Sequence, residues 1–467
     1  MKTFLFDELT PVALYGELKK IFTNEVTMLF ESVVNTNDGN FSFIAIGAKE
    51  RIIYKNETTI HIDETAKSHN LNISPFEFLK SYYAKIDKTE YIKRAERAGF
   101  SFTDGFIGFI GYDMVKVFEP VLKESMSNLK DTLNTPDLDL IRPKIIIGFS
   151  HKNSMLTIID NEKTNDELMS KIENILKQSH TPTPLKRAIL KEGKLGIDKN
   201  QFEQLIDESK EHIKSGDVFQ ILISNRYTQY GSVDRLSFYR LLRSKNPSPY
   251  LFLLEFEDFA ICGSSPEVMI KLTNNDILLR PIAGTRKRGK DRQRDIELEA
   301  EMVNDPKECA EHLMLIDLGR NDVGRVARTG TVKVTDMMRV ERYSHVMHMV
   351  SDIEAQLADD KDMFDLFMAT FTAGTMTGAP KIKAMELIAK FEKLKRGYYS
   401  GSVGYFAFNG NMDSAIAIRT ALIQDDKVTL QAGAGVVADS KPELEFLEVN
   451  NKLGALKATL EELQNIQ

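Results

Sequence analysis

The spacing of apolar positions changes its period repeatedly along the chain. FSFIAIG, from Phe41, is almost wholly apolar, and ERIIYK, from Glu50, alternates apolar with polar; both read as strands. FTDGFIGFIGYDMVKVFEP follows, with Gly105, Gly108 and Gly111 three apart, and glycines inside a strand pattern mark bulges or close backbone approach. PKIIIGFSHKNSMLTIIDN predicts a hairpin turning at HKNS, and DELMSKIENILKQ an amphipathic helix. NQFEQLIDESKEHIKSGDVFQILISNRYTQ reads as a helix stopped at Gly216 and then a strand. From Ser237 the pattern gives a helix, a proline-rich turn and three strands ending in PIAGT. Helices follow over 306–318, 361–372, 380–393 and 442–462, with three strands between residues 401 and 438. Strands and helices come in blocks rather than strict alternation, which predicts an α+β fold over a doubly wound sheet.

HTPTPLKR, from His180, carries two prolines that favour extended backbone. It divides a β-rich region, 1–180, from a region 198–467, with 181–197 as linker. A chain of 467 residues suits two such parts. Apolar content of 42% and charged content of 28% are ordinary for a globular protein with a large core. A net charge of −7 argues against a general nucleic-acid binder. Two cysteines, Cys262 and Cys309, build no disulfide framework and suit a reducing, cytoplasmic setting. MKTFLFDELT lacks the apolar core of a signal peptide, and no run of roughly 18 apolar residues predicts a membrane span.

RPIAGTRKRGKDRQR, from Arg280, imitates a phosphate-binding loop, but Asp291 stands where that loop needs a hydroxyl. Its basic run, Arg286 to Arg294, is expected as a solvated loop that attracts anions. LQAGAGVVADS imitates a dinucleotide fingerprint. The better reading is a glycine turn at Gly433 and Gly435 whose N–H groups approach an anion, followed by a helix capped by Ser440 with Glu443. Asp305 and Pro306 predict a helix start that puts Glu308 and Glu311 on one face, and Glu445 and Glu448 repeat the spacing. Any one such pair is ordinarily a solvated face; two pairs meeting across a cleft would make a hard oxygen site for Mg²⁺. His345 and His348 lack the company of a zinc site, and neither cysteine sits in a nucleophile elbow.

In that order from about residue 200, the segments PIAGTRKRG, EHLMLIDLGRNDVGRV, RYSHVMH, TAGTMTGAPKIKAMELI and GAGVVADSKPELEFLEVNNK resemble the chorismate-utilising enzymes, in the branch of the anthranilate synthase large subunits. The resemblance implies an α+β body of large packed antiparallel sheets with outer helices. It implies Mg²⁺ bridging the ring carboxylate of chorismate to Glu311 and Glu448, with Glu308 and Glu445 in support. Gly284, Thr285, Tyr399, Arg419, Gly433, Ala434 and Gly435 match substrate contacts, and Lys452 falls in the same C-terminal motif. Glu267 and Thr375 match further active-site positions, and His348 the proton transfer during loss of the ring hydroxyl. Ammonia would add at ring C2 as the C4 hydroxyl leaves, and the aminodeoxyisochorismate intermediate would then eliminate pyruvate to give anthranilate.

Two positions separate the chain from sister enzymes. Ala283 stands where aminodeoxychorismate synthases carry a lysine nucleophile, and Gln220 where isochorismate and salicylate synthases carry a lysine base. Both leave ammonia as the nucleophile. No glutaminase motif is visible, so the resemblance implies a separate glutamine amidotransferase subunit, in a dimer of heterodimers. Glu31, Ser32, Pro249, Tyr250 and Leu251 match the family's site for tryptophan as feedback inhibitor, although Tyr250 reads equally well as core. The chain departs from the pattern at Phe30, Asn40 and Thr377. The runner-up reading is an aminodeoxychorismate synthase large subunit; from another class, a non-catalytic chorismate- or tryptophan-binding regulator.

Overall fold

The computed structural model describes residues 1–32, 41–162, 166–178, 183–343 and 346–466. Asn40, His345 and the start of the proline-rich stretch at 180–182 lie outside the described residues. The architecture is α+β. Among the described residues twenty-two strands join into one hydrogen-bonded system, with helices such as Pro306–Gly324 and Pro442–Gln464 packed outside it.

The near-continuous apolar runs are explained by burial on both faces of the sheet. Successive residues point to opposite faces, and the chain fills two cores accordingly. Met28, Ala45, Ile146, Phe252, Leu254 and Ile261 enter one core with Phe76, Phe106 and Phe364. Their neighbours Leu29, Ile44, Ile145, Leu251, Leu253 and Cys262 enter the other with Tyr15, Phe238 and Leu456. Each such side chain taken from water contributes roughly 1.5–3 kcal/mol, so both faces resist polar substitution.

Strands far apart in sequence are neighbours in space. Thr27–Glu31 pairs with Tyr250–Glu255, placing Glu31 opposite Leu251. Gly105–Ile110 pairs with Ser402–Ala407. Within the stretch 181–197, the strand Ile189–Leu195 joins the sheet against Gln220–Ser232. Gly105 and Gly108 are required by close backbone approach: a Cβ at either would stand 2.1 Å from the carbonyl oxygen of Phe406 or Asp139.

Several local expectations are corrected. Five strands, not three, follow the helix Arg235–Lys245: Tyr250–Glu255, Phe259–Ser265, Val268–Thr273, Asp276–Leu279 and Ile282–Lys287. Four, not three, follow residue 401: Ser402–Ala407, Met412–Ile416, Thr420–Gln424 and Lys427–Val436. The basic run is a loop only over residues 288–291. Arg286 and Lys287 end a strand, and Arg292 starts the helix Arg292–Val303, whose cap is Asp291 accepting from Arg294 N. Arg288 pairs with Asp295 at 2.5 Å, and Arg294 with Glu297 and Glu301 at 3.0 Å.

Candidate active site

The acidic helices form as their end signals dictate. Asp305 caps Pro306–Gly324 by accepting from Lys307 N and Glu308 N, with Pro306 in the first turn. Glu308 and Glu311 then share a face. The second helix, Pro442–Gln464, carries Glu445 and Glu448. Its cap is Lys441, not Ser440. Pro442 takes the first helical position, and the Ser440 hydroxyl accepts from Val437 N at 3.0 Å instead.

The two helices bring their acids within electrostatic reach. Burial raises the Glu311 carboxyl above its ordinary range, the Glu308 charge adds to the rise, and Glu448 adds again from the other helix. Burial likewise raises Glu445, with Glu448 contributing. Gln220 donates its amide to Glu311 at 3.2 Å. Arg286 pairs with Glu308 at 2.7 Å, and Lys452 with Glu448 at 2.6 Å. Among the described residues no three His, Cys, Asp or Glu side chains stand together as a ligating group. The carboxylates are turned to these cationic and amide partners.

A long-range antiparallel pairing sets His348 beside the PIAGT strand. In the ladder between Ile282–Lys287 and Val346–Gln356, Thr285 faces His348. Met347 and Met349, flanking it, point into a small methionine cluster with Met302, which turns His348 to the opposite face. Gly284 is the bulge in this ladder, at φ +59, and a Cβ there would meet Met302 Sδ at 3.1 Å and Glu308 Oε2 at 3.3 Å. His348 Nδ1 lies 3.2 Å from the Gly284 carbonyl and 3.0 Å from the Thr285 hydroxyl. A carbonyl only accepts, so Nδ1 carries the proton and Nε2 the lone pair. Burial pushes the imidazole pKa down, with Arg419 adding to the fall, so the ring is neutral near pH 7.

Glu267 and Thr375 meet through a hydrogen bond, the Thr375 hydroxyl donating to Glu267 Oε1 at 2.9 Å. Thr375 lies in the short turn Gly374–Met376. Burial lifts the Glu267 carboxyl to about 8, against the lowering effect of Thr375 and of Lys452 nearby. At neutral pH it is an uncharged acid.

Arg419 sits between two strands at φ +52 and donates Nη1 to the Lys452 carbonyl at 3.0 Å. Burial lowers its pKa, with Tyr399 and Glu448 as the neighbouring compensation. Lys452 Nζ reaches the Gly433 carbonyl at 2.9 Å. Gly433, Ala434 and Gly435 are not a turn. They lie inside the strand Lys427–Val436, opposite Ser224, Ile223 and Leu222. The glycines answer close packing: a Cβ on Gly433 would meet Leu222 Cδ2 at 2.6 Å, and one on Gly435 would meet Gln220 Nε2 at 2.7 Å.

Glu31, Ser32, Pro249, Tyr250 and Leu251 gather elsewhere, around a cavity of about 520 Å³ whose walls also include Phe43, Lys271 and Asp413. The pairing of Glu31 with Leu251 brings the two segments together. Glu31 is buried, accepts from Tyr239 at 2.6 Å and pairs with Arg243 at 2.9 Å. Tyr250 donates to Asp413 at 2.9 Å.

Sequence reasoning left Arg286 and Gln220 outside the list of site residues. Arg286 looked like one more charge in a basic run, and only the fold sets it against Glu308. Gln220 was visible as a point of difference, but its contact with Glu311 spans 91 residues.

The chain matches the family described as chorismate binding enzyme over residues 27–458. It is similar to anthranilate synthase component 1 of Acinetobacter calcoaceticus, at 40% identity over 98% of this chain and 94% of the relative. It is also similar to that of Aquifex aeolicus, at 37% over 98% of this chain and 93% of the relative. The crystal structure of anthranilate synthase component I from Streptococcus pneumoniae TIGR4 superposes with a TM-score of 0.76 at 30% identity, covering 98% and 99% of the two chains. The menaquinone-specific isochorismate synthase MenF of Escherichia coli superposes at 0.72 with 18% identity over 98% and 94%, a likeness of fold.

Proposed function

This chain belongs to the chorismate-binding enzyme family, and from that premise we propose that it is an anthranilate synthase component I, converting chorismate and ammonia to anthranilate, pyruvate and water. The observation that carries this reading is the company of Glu311: Glu308 and Glu448 on the acidic side, and beside them the Gln220 amide where an amine would serve another nucleophile. Neither Gln220 nor Ala283 attacks carbon or deprotonates water. The buried Gln220 carbonyl oxygen lacks a hydrogen-bond partner among the described residues, and it offers an acceptor to the N–H of incoming ammonia.

The donor chemistry suits magnesium: the four carboxylates are hard oxygens, and a cation would favour the charged form of Glu311, which burial and then the Glu308 and Glu448 charges disfavour. Glu311 and Glu448 would hold the ion, with Glu308 and Glu445 in support. Mg²⁺, when bound, supplies positive charge that orients and neutralises the substrate's ring carboxylate. The chain's own residues do the rest. The Arg419 fork, steadied by the Lys452 carbonyl, grips the other carboxylate. Gly284 and Thr285 position the ring edge beside His348, and Tyr399 and the Gly433–Gly435 strand close the far side. Glu267, holding its proton near pH 7, hands it to the departing C4 hydroxyl, which leaves as water. His348, to which the resemblance gives the proton transfer during loss of the hydroxyl, is neutral with Nε2 free to accept; we assign it instead the ring proton, taken as pyruvate leaves and the ring becomes aromatic.

Ammonia would come from a separate glutamine amidotransferase subunit in the cytoplasm, the two subunits assembling as a dimer of heterodimers. The cavity at Glu31, Ser32 and Tyr250 is read as the tryptophan feedback site: its aromatic walls suit an indole, and its polar groups suit an amino acid's charges. The test is to mix the purified chain with chorismate, Mg²⁺ and an ammonium salt. Blue anthranilate fluorescence is expected without any partner subunit. A folded chain that yields none over hours overturns the catalytic reading in favour of a binding protein.

A further inference from the structure

One buried cation takes no part in this chemistry. Arg396 is 1% exposed. Its guanidinium grips Glu392 twice, Nε to Oε2 at 2.8 Å and Nη2 to Oε1 at 2.6 Å. It also donates to two backbone carbonyls, Nη1 to Met376 at 2.8 Å and Nη2 to Leu222 at 3.1 Å, and from Nη1 to the Ser400 hydroxyl at 3.5 Å. Glu392 Oε1 also accepts from Ser224, from N at 2.9 Å and from Oγ at 2.7 Å. The guanidinium carbon lies 4.7 Å from the centre of the Tyr112 ring and 5.8 Å from that of Tyr399.

Four of the residues around the pair are site residues or neighbours of them. Met376 follows Thr375 in the turn Gly374–Met376. Leu222 and Ser224 face Gly435 and Gly433 in the ladder. Tyr399 lies three residues beyond Arg396. Stability gives little reason for such a pair. Desolvating two charges costs about as much as their attraction returns, and apolar replacements of buried pairs are often neutral. Geometry gives a better one: a planar fork reaches a carboxylate and two carbonyls at once, which a lysine ammonium cannot do in the same place.

We infer that Arg396, held by Glu392, is a positioning residue: it fixes the Thr375 turn, the Gly433–Gly435 strand and Tyr399 relative to one another, and sets kcat/KM for chorismate without touching it. This rests on the function proposed above. Its mark is energetic coupling to the residues it places.

The experiment compares the parent with Arg396→Lys, Thr375→Ala and the double variant in the ammonium-driven reaction, alongside thermal melting. Arg396→Lys is expected to melt within about 5 °C of the parent yet lose at least about 10-fold in kcat/KM. The double variant is expected to lose clearly less than the product of the two single losses, since residues acting as a unit are not additive. Arg396→Lys at parental kcat/KM, or losses that multiply, overturns the inference. If Arg396→Lys does not fold, Glu392→Gln, which weakens the grip and keeps the shape, runs through the same cycle under the same criteria. An inactive parent would sink the proposed function and this inference with it; an active parent with multiplying losses sinks the inference alone.

Discussion

Glu267→Gln removes one proton and leaves the shape of the site, including an oxygen that accepts from Thr375. In the folded chain this acid keeps its proton up to about pH 8, against an ordinary 4.5. Between those values the folded state binds more protons than the unfolded one, so the parent loses stability as pH rises. At roughly 1.4 kcal/mol for each pH unit the cost is about 3.5 kcal/mol at pH 7 and reaches about 5 kcal/mol at most above pH 8. The variant has no proton to lose and escapes that cost. At about 2.1 cal/mol/K for each residue, a chain of this length moves its melting temperature by about 1 °C per kcal/mol. Melting curves across pH are therefore expected to coincide near pH 4.5 and to separate upward by a few degrees toward pH 8.5, the variant melting higher. The same variant is expected to lose roughly 10²–10⁴-fold in kcat, the range for a missing general acid. A melting gap that does not change with pH refutes the buried neutral acid. Retained turnover refutes its role in expelling the hydroxyl.

Gly435→Ala puts a methyl 2.7 Å from Gln220 Nε2; displacing that amide forfeits a bond to a charged group worth about 1.5–3 kcal/mol, so the Mg²⁺ concentration for half-maximal activity is expected to rise about 10-fold or more with little change in melting, and an unchanged requirement counts against Gln220 as the orienter of Glu311. Ala283→Lys sets an amine on the strand beside His348; chromatography of the products is expected to show anthranilate output reduced or redirected, and undiminished output would contradict the role given to this position. The chain has no tryptophan, so added tryptophan is followed by its own fluorescence; saturable binding is expected in the parent and at least about 10-fold weaker binding in Tyr250→Ala, which strips an aromatic wall. No saturation in the parent removes the feedback reading.

Local signals carried much of the fold. Asp305 and Pro306 announced the helix that holds Glu308 and Glu311, and the glycine spacing at 105 and 108 announced close backbone approach. Where the sequence misled, a long-range contact outweighed a local pattern. Gly433 and Gly435 imitate a turn, yet they are bare because Leu222 and Gln220 press on the strand from a distant part of the chain. The helix Arg292–Val303 was hidden because it buries only Asp295 and Met302, leaving no apolar stripe to read. Ser440 fits a cap by type, but its hydroxyl was taken by Val437 N. For the site, residue types and their i, i+3 spacing were legible from the motifs. The electrostatic influence of Glu448 on Glu311, and the pairing of Glu31 with Leu251, depend on strand pairing and helix packing that no single segment encodes.

The central claim is that acids from two separate helices share one divalent ion beside the substrate. Paramagnetic Mn²⁺, standing in for Mg²⁺, tests it most directly when titrated into the purified chain with chorismate and followed by electron spin resonance. One ion per chain is expected in the parent, with affinity reduced at least about 10-fold in both Glu311→Gln and Glu448→Gln. Parental Mn²⁺ binding in either variant would contradict the account.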